Sequence, residues 1–141
     1  MKDLIIITII LLAILLGLTQ WAWTDEITDI IPAIIQVESS GRAWATSKDG
    51  CRGLMQLSKL AWEDVMDIPY LSNVYNSKLN VVAGERYLRL LKRRLGEDYT
   101  LERLIASYNC GLGRLKEYKY KWWRIGETRR YIKKVQYFMK C

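Results

Sequence analysis

Apolar residues recur at intervals of three and four along most of this chain, and this spacing is typical of helices that bury one face. The longest such stretch predicts a helix over 78–95, and Gly96 follows it as a C-terminal stop. The face that this helix should bury carries Val81, Gly84, Leu88, Leu91 and Leu95. Shorter segments with the same spacing, separated by Gly, Asn or Ser, predict a fold that is mainly α-helical.

Four further helices are predicted from their boundary residues. The first covers 29–39, with Pro32 in its opening turn, where a missing N–H does no harm. Ser58 should cap a second helix, and Thr100 should cap a third that carries a leucine-rich face. A last helix should cover about 127–140.

The segments between these helices are predicted to be loops or of mixed structure. Residues 41–57 contain three glycines and no helical period, so they predict a loop or a short hairpin after the first helix. Residues 67–77 predict a further loop, and 112–126 a mixed segment.

The amino-terminal residues form a separate unit. Leu4–Leu18 is apolar except at Thr8 and Gly17, and Trp21 and Trp23 follow it. Extended through these tryptophans, which are common at membrane interfaces, the stretch reaches the roughly 20 residues that a membrane span needs. An uncleaved transmembrane anchor is therefore predicted over 1–23. A signal peptide is the alternative, although the stretch has a thin basic region and a weak cleavage site.

Charge around this segment predicts its orientation. Lys2 and the amino terminus lie before it, whereas three acidic residues lie within 25–29. The tendency of basic flanks to stay in the cytoplasm predicts that 24–141 forms one domain on the outer, periplasmic side of the membrane. That length suits one domain and is too short for two ordinary ones.

The net charge is +7, and Lys and Arg are concentrated in 86–94 and 114–134. Solvated helix faces account for such charge, and so would an anionic partner. For an exported domain, anionic envelope polymers or lipid head groups fit better than nucleic acid, so no nucleic-acid partner is predicted.

Histidine is absent from the sequence, which excludes Ser-His and Cys-His catalytic pairs and disfavours a catalytic zinc site. We accordingly predict neither a metal nor a cofactor. In an exported protein Cys51 and Cys110 could form a disulfide that leaves Cys141 free, and reduced thiols are the equal alternative.

Glu38 lies on the face of the first predicted helix that should be buried. Its neighbours at three, four and seven residues back are Ile35, Ile34 and Ile31. Burial raises the pKa of a carboxyl group, and the negative end of a helix acts in the same direction. A carboxyl that is still protonated near neutral pH can serve as a general acid. The alternative is a glutamate at a frayed helix end whose carboxyl reaches solvent.

Glu38-Ser39 is the first of several ordered motifs. Gly-Leu-Met-Gln follows at 53–56, Ala-Ser-Tyr-Asn-Cys-Gly at 106–111 and Glu-Thr-Arg-Arg-Tyr at 127–131. Together with an Asn-x-x-x-Gly-x-x-Tyr-Leu helix that starts at Asn80, this order resembles the soluble lytic transglycosylase family of the lysozyme superfamily. The resemblance covers about 28–138.

The chain departs from the pattern of the family at a few positions. Cys110 and Ser107 stand where alanines are usual, and Ser58-Lys59 replaces a common Met-Pro pair. None of these changes removes a side chain that the chemistry needs.

The resemblance implies a lysozyme-like single catalytic domain that acts on peptidoglycan. It implies that Glu38 is the catalytic acid and then the base, while the C6 hydroxyl of the muramic acid sugar is the nucleophile. It further implies that the substrate is bound by Ser39, Met55, Gln56, Tyr108, Asn109, Glu127 and Tyr131. Structural roles are the alternative for several of these: a hydroxyl at a helix end for Ser39, core packing for Met55 and Tyr131, and a helix cap for Asn109.

The expected function is therefore that of a lytic transglycosylase that is anchored in a membrane and cuts the cell wall locally. It would serve a bacterial envelope machine, such as a secretion or pilus system, or a phage particle that crosses the wall. The alternatives are a lysozyme-type hydrolase that uses water at the same bond, and a non-catalytic protein that binds peptidoglycan.

Overall fold

Seven α-helices and two short 3-10 turns account for most of residues 25–141, the part of the chain that the computed structural model describes. The helices are α1 (Glu26–Ser39), α2 (Lys59–Glu63), α3 (Tyr70–Asn73), α4 (Ser77–Leu95), α5 (Leu101–Cys110), α6 (Leu112–Glu117) and α7 (Gly126–Phe138). The 3-10 turns are Gly96–Asp98 and Trp122–Arg124. The prediction of a mainly α-helical fold is confirmed.

The core lies where the longer helices meet. Helix α1 packs against α7 and α4, and α5 packs against α4, α6 and α7. The largest side chains that are fully buried at this junction include Ile30, Ile34, Leu88, Leu91, Leu104, Ile105 and Ile132. Because α1 and α7 are neighbours, the end of α1 that carries Glu38 faces the residues of α7.

The helix boundaries with polar caps match the prediction. The side chain of Ser58 accepts a hydrogen bond from the backbone N–H of Ala61, and that of Thr100 accepts one from Arg103. Gly96 ends α4 with a φ of 55°, a left-handed value that glycine adopts without strain.

Helix α1 begins one turn earlier than predicted. Asp25 caps it by accepting a hydrogen bond from the N–H of Ile27, and the Asp25 carboxylate also pairs with Arg89 of α4. Pro32 therefore lies inside the helix and not in its opening turn, so that prediction is wrong. Pro32 cannot donate to the carbonyl of Thr28, but both residues lie on the exposed face, where water can satisfy that carbonyl.

The connecting segments are more structured than predicted. Residues 41–57 form a compact turn with two isolated antiparallel bridges, Thr46 with Arg52 and Arg52 with Leu57, as the loop-or-hairpin prediction allows. The predicted loop over 67–77 contains the short helix α3, and the mixed segment over 112–126 contains α6 and the second 3-10 turn.

The predicted membrane anchor over 1–23 lies outside the described residues. Within 25–141, none of the helices combines the length and the apolar character that a membrane crossing requires.

Candidate active site

Glu38 lies in the last turn of α1, beside a pocket between α1, α5 and α7. Ser40 ends this helix in the left-handed conformation, with φ 52°, and its N–H donates to the carbonyl of Gln36. On the same helix Ile31 and Ile34 are buried, as the predicted apolar face requires. The pocket has a volume of about 270 Å³. It is lined by Val37, Glu38, Asn109, Glu127, Arg130, Tyr131 and Lys134.

The carboxyl group of Glu38 is set up to hold a proton near neutral pH. Burial raises its pKa from 4.5 to about 7, against a smaller lowering effect of a hydrogen bond from Tyr131. In that bond the Tyr131 hydroxyl donates to Oε1 of Glu38 at 2.7 Å. Burial and the nearby Glu38 carboxyl raise the pKa of Tyr131 well above its ordinary value, so Tyr131 remains a donor. The pair can therefore act as a general acid whose charged form is stabilised by a phenol.

One face of α7 forms the opposite wall of this pocket. Glu127, Arg130, Tyr131 and Lys134 are spaced by three, four and seven residues, so their side chains share that face. Glu127 and Tyr131 were predicted as site residues, whereas Arg130 and Lys134 were missed. Both follow Glu127 and Tyr131 at a spacing of three residues, which is the helical spacing that indicates a shared face.

Met55 lies in the hydrophobic core, and Tyr108 packs against that core near Glu38. Met55 is fully buried, and its side chain fills the space that a Cβ on Gly84 would occupy. The Tyr108 hydroxyl donates to the backbone carbonyl of Met55 at 2.7 Å. Burial is the main cause that raises the pKa of Tyr108 well above its ordinary value, so this donor also stays protonated. Neither residue is among those that line the Glu38 pocket.

Gln56 holds the segment 53–56 in an unusual conformation. Its backbone has a φ of 49°, which is rare for a residue with a side chain. Its side-chain amide nitrogen donates to the carbonyls of Ala45 at 3.0 Å and Gly53 at 2.9 Å. Both hydrogen bonds of the amide nitrogen therefore stay within its own loop and stabilise the conformation of that loop.

Asn80 of α4 ties this loop to the helical core, and it was not predicted as part of the site. Its side chain is fully buried, accepts from the N–H of Met55 at 2.8 Å and donates to the carbonyls of Arg52 and Val74. Gly53 lies so close that a Cβ there would come within 2.7 Å of Cγ of Asn80. The loop and α4 are therefore locked together.

Ser39 and Asn109 make local contacts. The Ser39 hydroxyl is buried and donates to the carbonyl of Ile35 at 3.2 Å, one turn back in α1. Asn109 lines the Glu38 pocket, and its side-chain oxygen accepts from the hydroxyl of Thr128 at 2.9 Å. That bond joins the end of α5 to the start of α7, and so it fixes one corner of the pocket.

All three cysteines are free thiols. Cys51 and Cys110 are half-buried and Cys141 is exposed. Burial raises the pKa of the Cys51 and Cys110 thiols, so both are poor nucleophiles at neutral pH. The structure agrees with the reduced alternative.

Comparison with curated proteins gives relatives of one kind. Membrane-bound lytic murein transglycosylase F of Histophilus somni (strain 2336) is 37% identical over 90 residues, which are 61% of this chain and 18% of the relative. The protein of that name from Thiobacillus denitrificans is 32% identical over 104 residues, 71% of this chain and 20% of the relative. The chain thus spans about a fifth of the length of these relatives.

Comparison with solved structures shows the fold. An inactive mutant of the lytic transglycosylase Slt from Pseudomonas aeruginosa matches with a TM-score of 0.69 and 22% identity, covering 79% of this chain and 20% of that one. The 70 kDa soluble lytic transglycosylase from Escherichia coli matches with a TM-score of 0.63 and 22% identity, covering 79% of this chain and 22% of that one. These matches confirm the predicted lysozyme-like fold.

The family itself is shown by the sequence. The family model described as "Transglycosylase SLT domain" matches residues 19–124, which is more than half of the chain. This match includes four of the five motifs on which the predicted resemblance depended, from Glu38 to Gly111, and the motif at 127–131 lies outside it. The chain therefore belongs to the transglycosylase SLT domain family.

Proposed function

We propose that this chain is a peptidoglycan lytic transglycosylase. It would cleave the β-1,4 bond between N-acetylmuramic acid and N-acetylglucosamine and leave a 1,6-anhydro end on the muramic acid sugar. The observation that carries this proposal is the buried Glu38 carboxyl, with a pKa of about 7 and a hydrogen bond from Tyr131. Relatives named lytic murein transglycosylases support the same activity.

One carboxyl group suffices for this reaction. Protonated Glu38 gives its proton to the glycosidic oxygen as the bond from that oxygen to C1 breaks. The resulting carboxylate then takes the proton of the C6 hydroxyl, whose oxygen bonds to C1. The proton is back on Glu38 at the end, and no water is consumed. Tyr131 stabilises the Glu38 carboxylate between the two steps, because its hydroxyl already donates to Oε1 of Glu38.

The surroundings of Glu38 favour this route over hydrolysis. Hydrolytic glycosidases usually pair two carboxyl groups about 5–9.5 Å apart across the scissile bond. A close second carboxylate would itself raise the pKa of Glu38, whereas burial is the cause that raises it here. Glu127 lines the same pocket but is exposed at the start of α7. We therefore propose Glu127 as a substrate contact and not as a second catalytic group.

The remaining predicted site residues fall into two groups: one that lines the Glu38 pocket, and one whose contacts lie within the fold. Asn109 lines the pocket, which supports its role as a substrate contact. The hydrogen bonds of Ser39, Gln56 and Tyr108, and the buried position of Met55, support a role in positioning the site. Direct sugar contacts by these four residues remain a prediction.

The proposed setting is the outer, periplasmic side of a membrane, with residues 1–23 as an anchor and 24–141 as the catalytic domain. The name of the relatives, membrane-bound lytic murein transglycosylase, supports a location at a membrane. Such tethering would suit local cutting for an envelope-spanning machine or for a phage particle.

Mass spectrometry of digested peptidoglycan tests the proposed reaction. Wild-type protein should release muropeptides with 1,6-anhydro ends, and Glu38→Gln should release none above background. Glu97→Gln, which removes an exposed carboxylate from the first 3-10 turn, is the matched control and should retain activity. Hydrated reducing ends from the wild type would instead establish a lysozyme-type hydrolase. No product from the wild type, together with intact binding to the wall, would establish a non-catalytic binder.

A further inference from the structure

A second groove adjoins the Glu38 pocket. It runs between the end of α1 and the last turns of α7 and has a volume of about 510 Å³. It is lined mainly by Gln36, Val37, Lys133, Lys134, Tyr137 and Phe138. Val37 and Lys134 also line the Glu38 pocket, so the two cavities are neighbours that share these residues. We name the second cavity the side groove.

The side groove combines an apolar floor with a cationic rim. Val37 and Phe138 are half-buried, while the Tyr137 ring is 64% exposed and packs edge-on against Phe138 at 5.2 Å between ring centroids. Lys133 and Lys134 are both exposed, and neither is in an ion pair with another residue of the described part of the chain. Such a surface suits a ligand with small apolar groups and at least one carboxylate.

The net positive charge of the sequence is concentrated in one segment that includes most of α7. Residues 112–134 contain nine Lys and Arg and two Glu, whereas the rest of the sequence contains thirteen basic and thirteen acidic residues. The entire net charge of +7 therefore belongs to this one segment. Helix α7, which forms a wall of both cavities, carries four of these basic residues, Arg129, Arg130, Lys133 and Lys134, and one acidic residue, Glu127. Its net positive charge attracts an anionic ligand to this wall.

We infer that the side groove binds the acidic peptide branch of the strand being cut, with Lys133 as the residue that receives a peptide carboxylate. This inference rests on the proposed function, because that function places the branched sugar in the Glu38 pocket. The branch leaves the same sugar whose C1 reacts. A cavity that shares Val37 and Lys134 with the Glu38 pocket and has a cationic rim is where such a branch can lie. The groove would then select strands that carry peptides over strands without them.

Kinetics on two forms of one substrate test this inference. Glycan strands that carry their peptides are compared with the same strands after an amidase has removed the peptides. The wild-type full chain should show a higher kcat/KM on the peptide-bearing form, and Lys133→Gln should reduce that preference about fivefold. Lys116→Gln is the matched control, since it removes one exposed charge from the same basic segment but lines neither cavity. This control should keep the wild-type preference.

A binding measurement keeps the test independent of catalysis. The peptide released by the amidase is titrated into wild type, Lys133→Gln and Lys116→Gln, and calorimetry should show an affinity about fivefold lower for Lys133→Gln alone. Equal preference and equal affinity in all three proteins would overturn the inference. Failure of the proposed function looks different: the wild type would release no anhydro product from either form of the strand, whatever the peptide affinities are.

Discussion

The raised pKa of Glu38 predicts a stability cost that depends on pH. In the unfolded chain this carboxyl loses its proton near pH 4.5, whereas in the folded protein it keeps the proton up to about pH 7. Between these two values the folded state binds more protons than the unfolded state, so the free energy of unfolding falls as pH rises. The stabilising effect of the protonated carboxyl is complete below about pH 4.5 and is lost above about pH 7.

Glu38→Gln removes this cost without changing the shape of the side chain. Each pH unit between 4.5 and about 7 corresponds to about 1.4 kcal/mol, which gives roughly 3 kcal/mol as an upper value for a partly buried group. The side-chain oxygen of glutamine can still accept the hydrogen bond from Tyr131. We therefore expect the variant to unfold with a free energy about 2–3 kcal/mol higher than the wild type at pH 8, and with an equal free energy at pH 4.

Urea unfolding of the full chain at several pH values measures this difference. Glu97→Gln serves as the control for the loss of one negative charge at an exposed site. Other groups that titrate contribute equally to wild type and Glu38→Gln, so the difference between the two isolates Glu38. A difference that stays constant from pH 4 to pH 8 would refute the reasoning, because it would mean that Glu38 titrates alike in the folded and unfolded chain.

Three further predictions concern the hydrogen bond to Glu38 and the contacts of α4 with the loop at 53–56. Tyr131→Phe removes the hydrogen bond that lowers the pKa of Glu38, so the high-pH limb of the profile of kcat/KM should move upward by about one pH unit; an unchanged limb would contradict this. Gly84→Ala places a Cβ 2.6 Å from Cε of the buried Met55 and should lower the free energy of unfolding by about 1–3 kcal/mol, whereas Gly113→Ala, with no atom within 4 Å, should not lower it. Asn80→Ala leaves the N–H of Met55 and the carbonyl of Val74 without their partner, while the carbonyl of Arg52 keeps a bond from the backbone N–H of Leu57. The variant should cost about 2–4 kcal/mol in urea unfolding; a cost below that of Gly113→Ala would be inconsistent with a structural role.

Local rules were enough for much of the fold. The caps at Ser58 and Thr100 and the stop at Gly96 depend on residues within one turn, so the sequence could predict them. The start of α1 was predicted wrongly from Pro32, although Asp25 is a local cap that bonds to the N–H of Ile27. Only the pair of Asp25 with Arg89, 64 residues away, lies beyond such local rules.

Contacts between distant segments explain what the sequence could not predict about the site. Asn80 and Met55 are 25 residues apart, and no spacing rule indicates that the buried amide of one holds the backbone of the other. The left-handed conformation of Gln56 also depends on its loop, because the side chain must reach Ala45. Arg130 is different: it follows helical spacing from Glu127, and so the sequence contained the signal for it.

The contacts of the motif residues explain why a reaction with one carboxyl group needs so many fixed positions. Two catalytic carboxyl groups can divide two proton transfers between them, but Glu38 would have to serve two different oxygens in turn. Its position must then be held closely, since misplacement by a few tenths of an ångström weakens both transfers. The buried face of α1 and the Tyr131 hydroxyl hold the carboxyl group directly. The loop at 53–56, locked by Asn80 and by the phenol of Tyr108, gives the rigid base on which the site rests. If the proposed function holds, most of the motif residues would hold the frame of the site, and the chemistry would fall to Glu38 and to Tyr131, which contacts its carboxyl group.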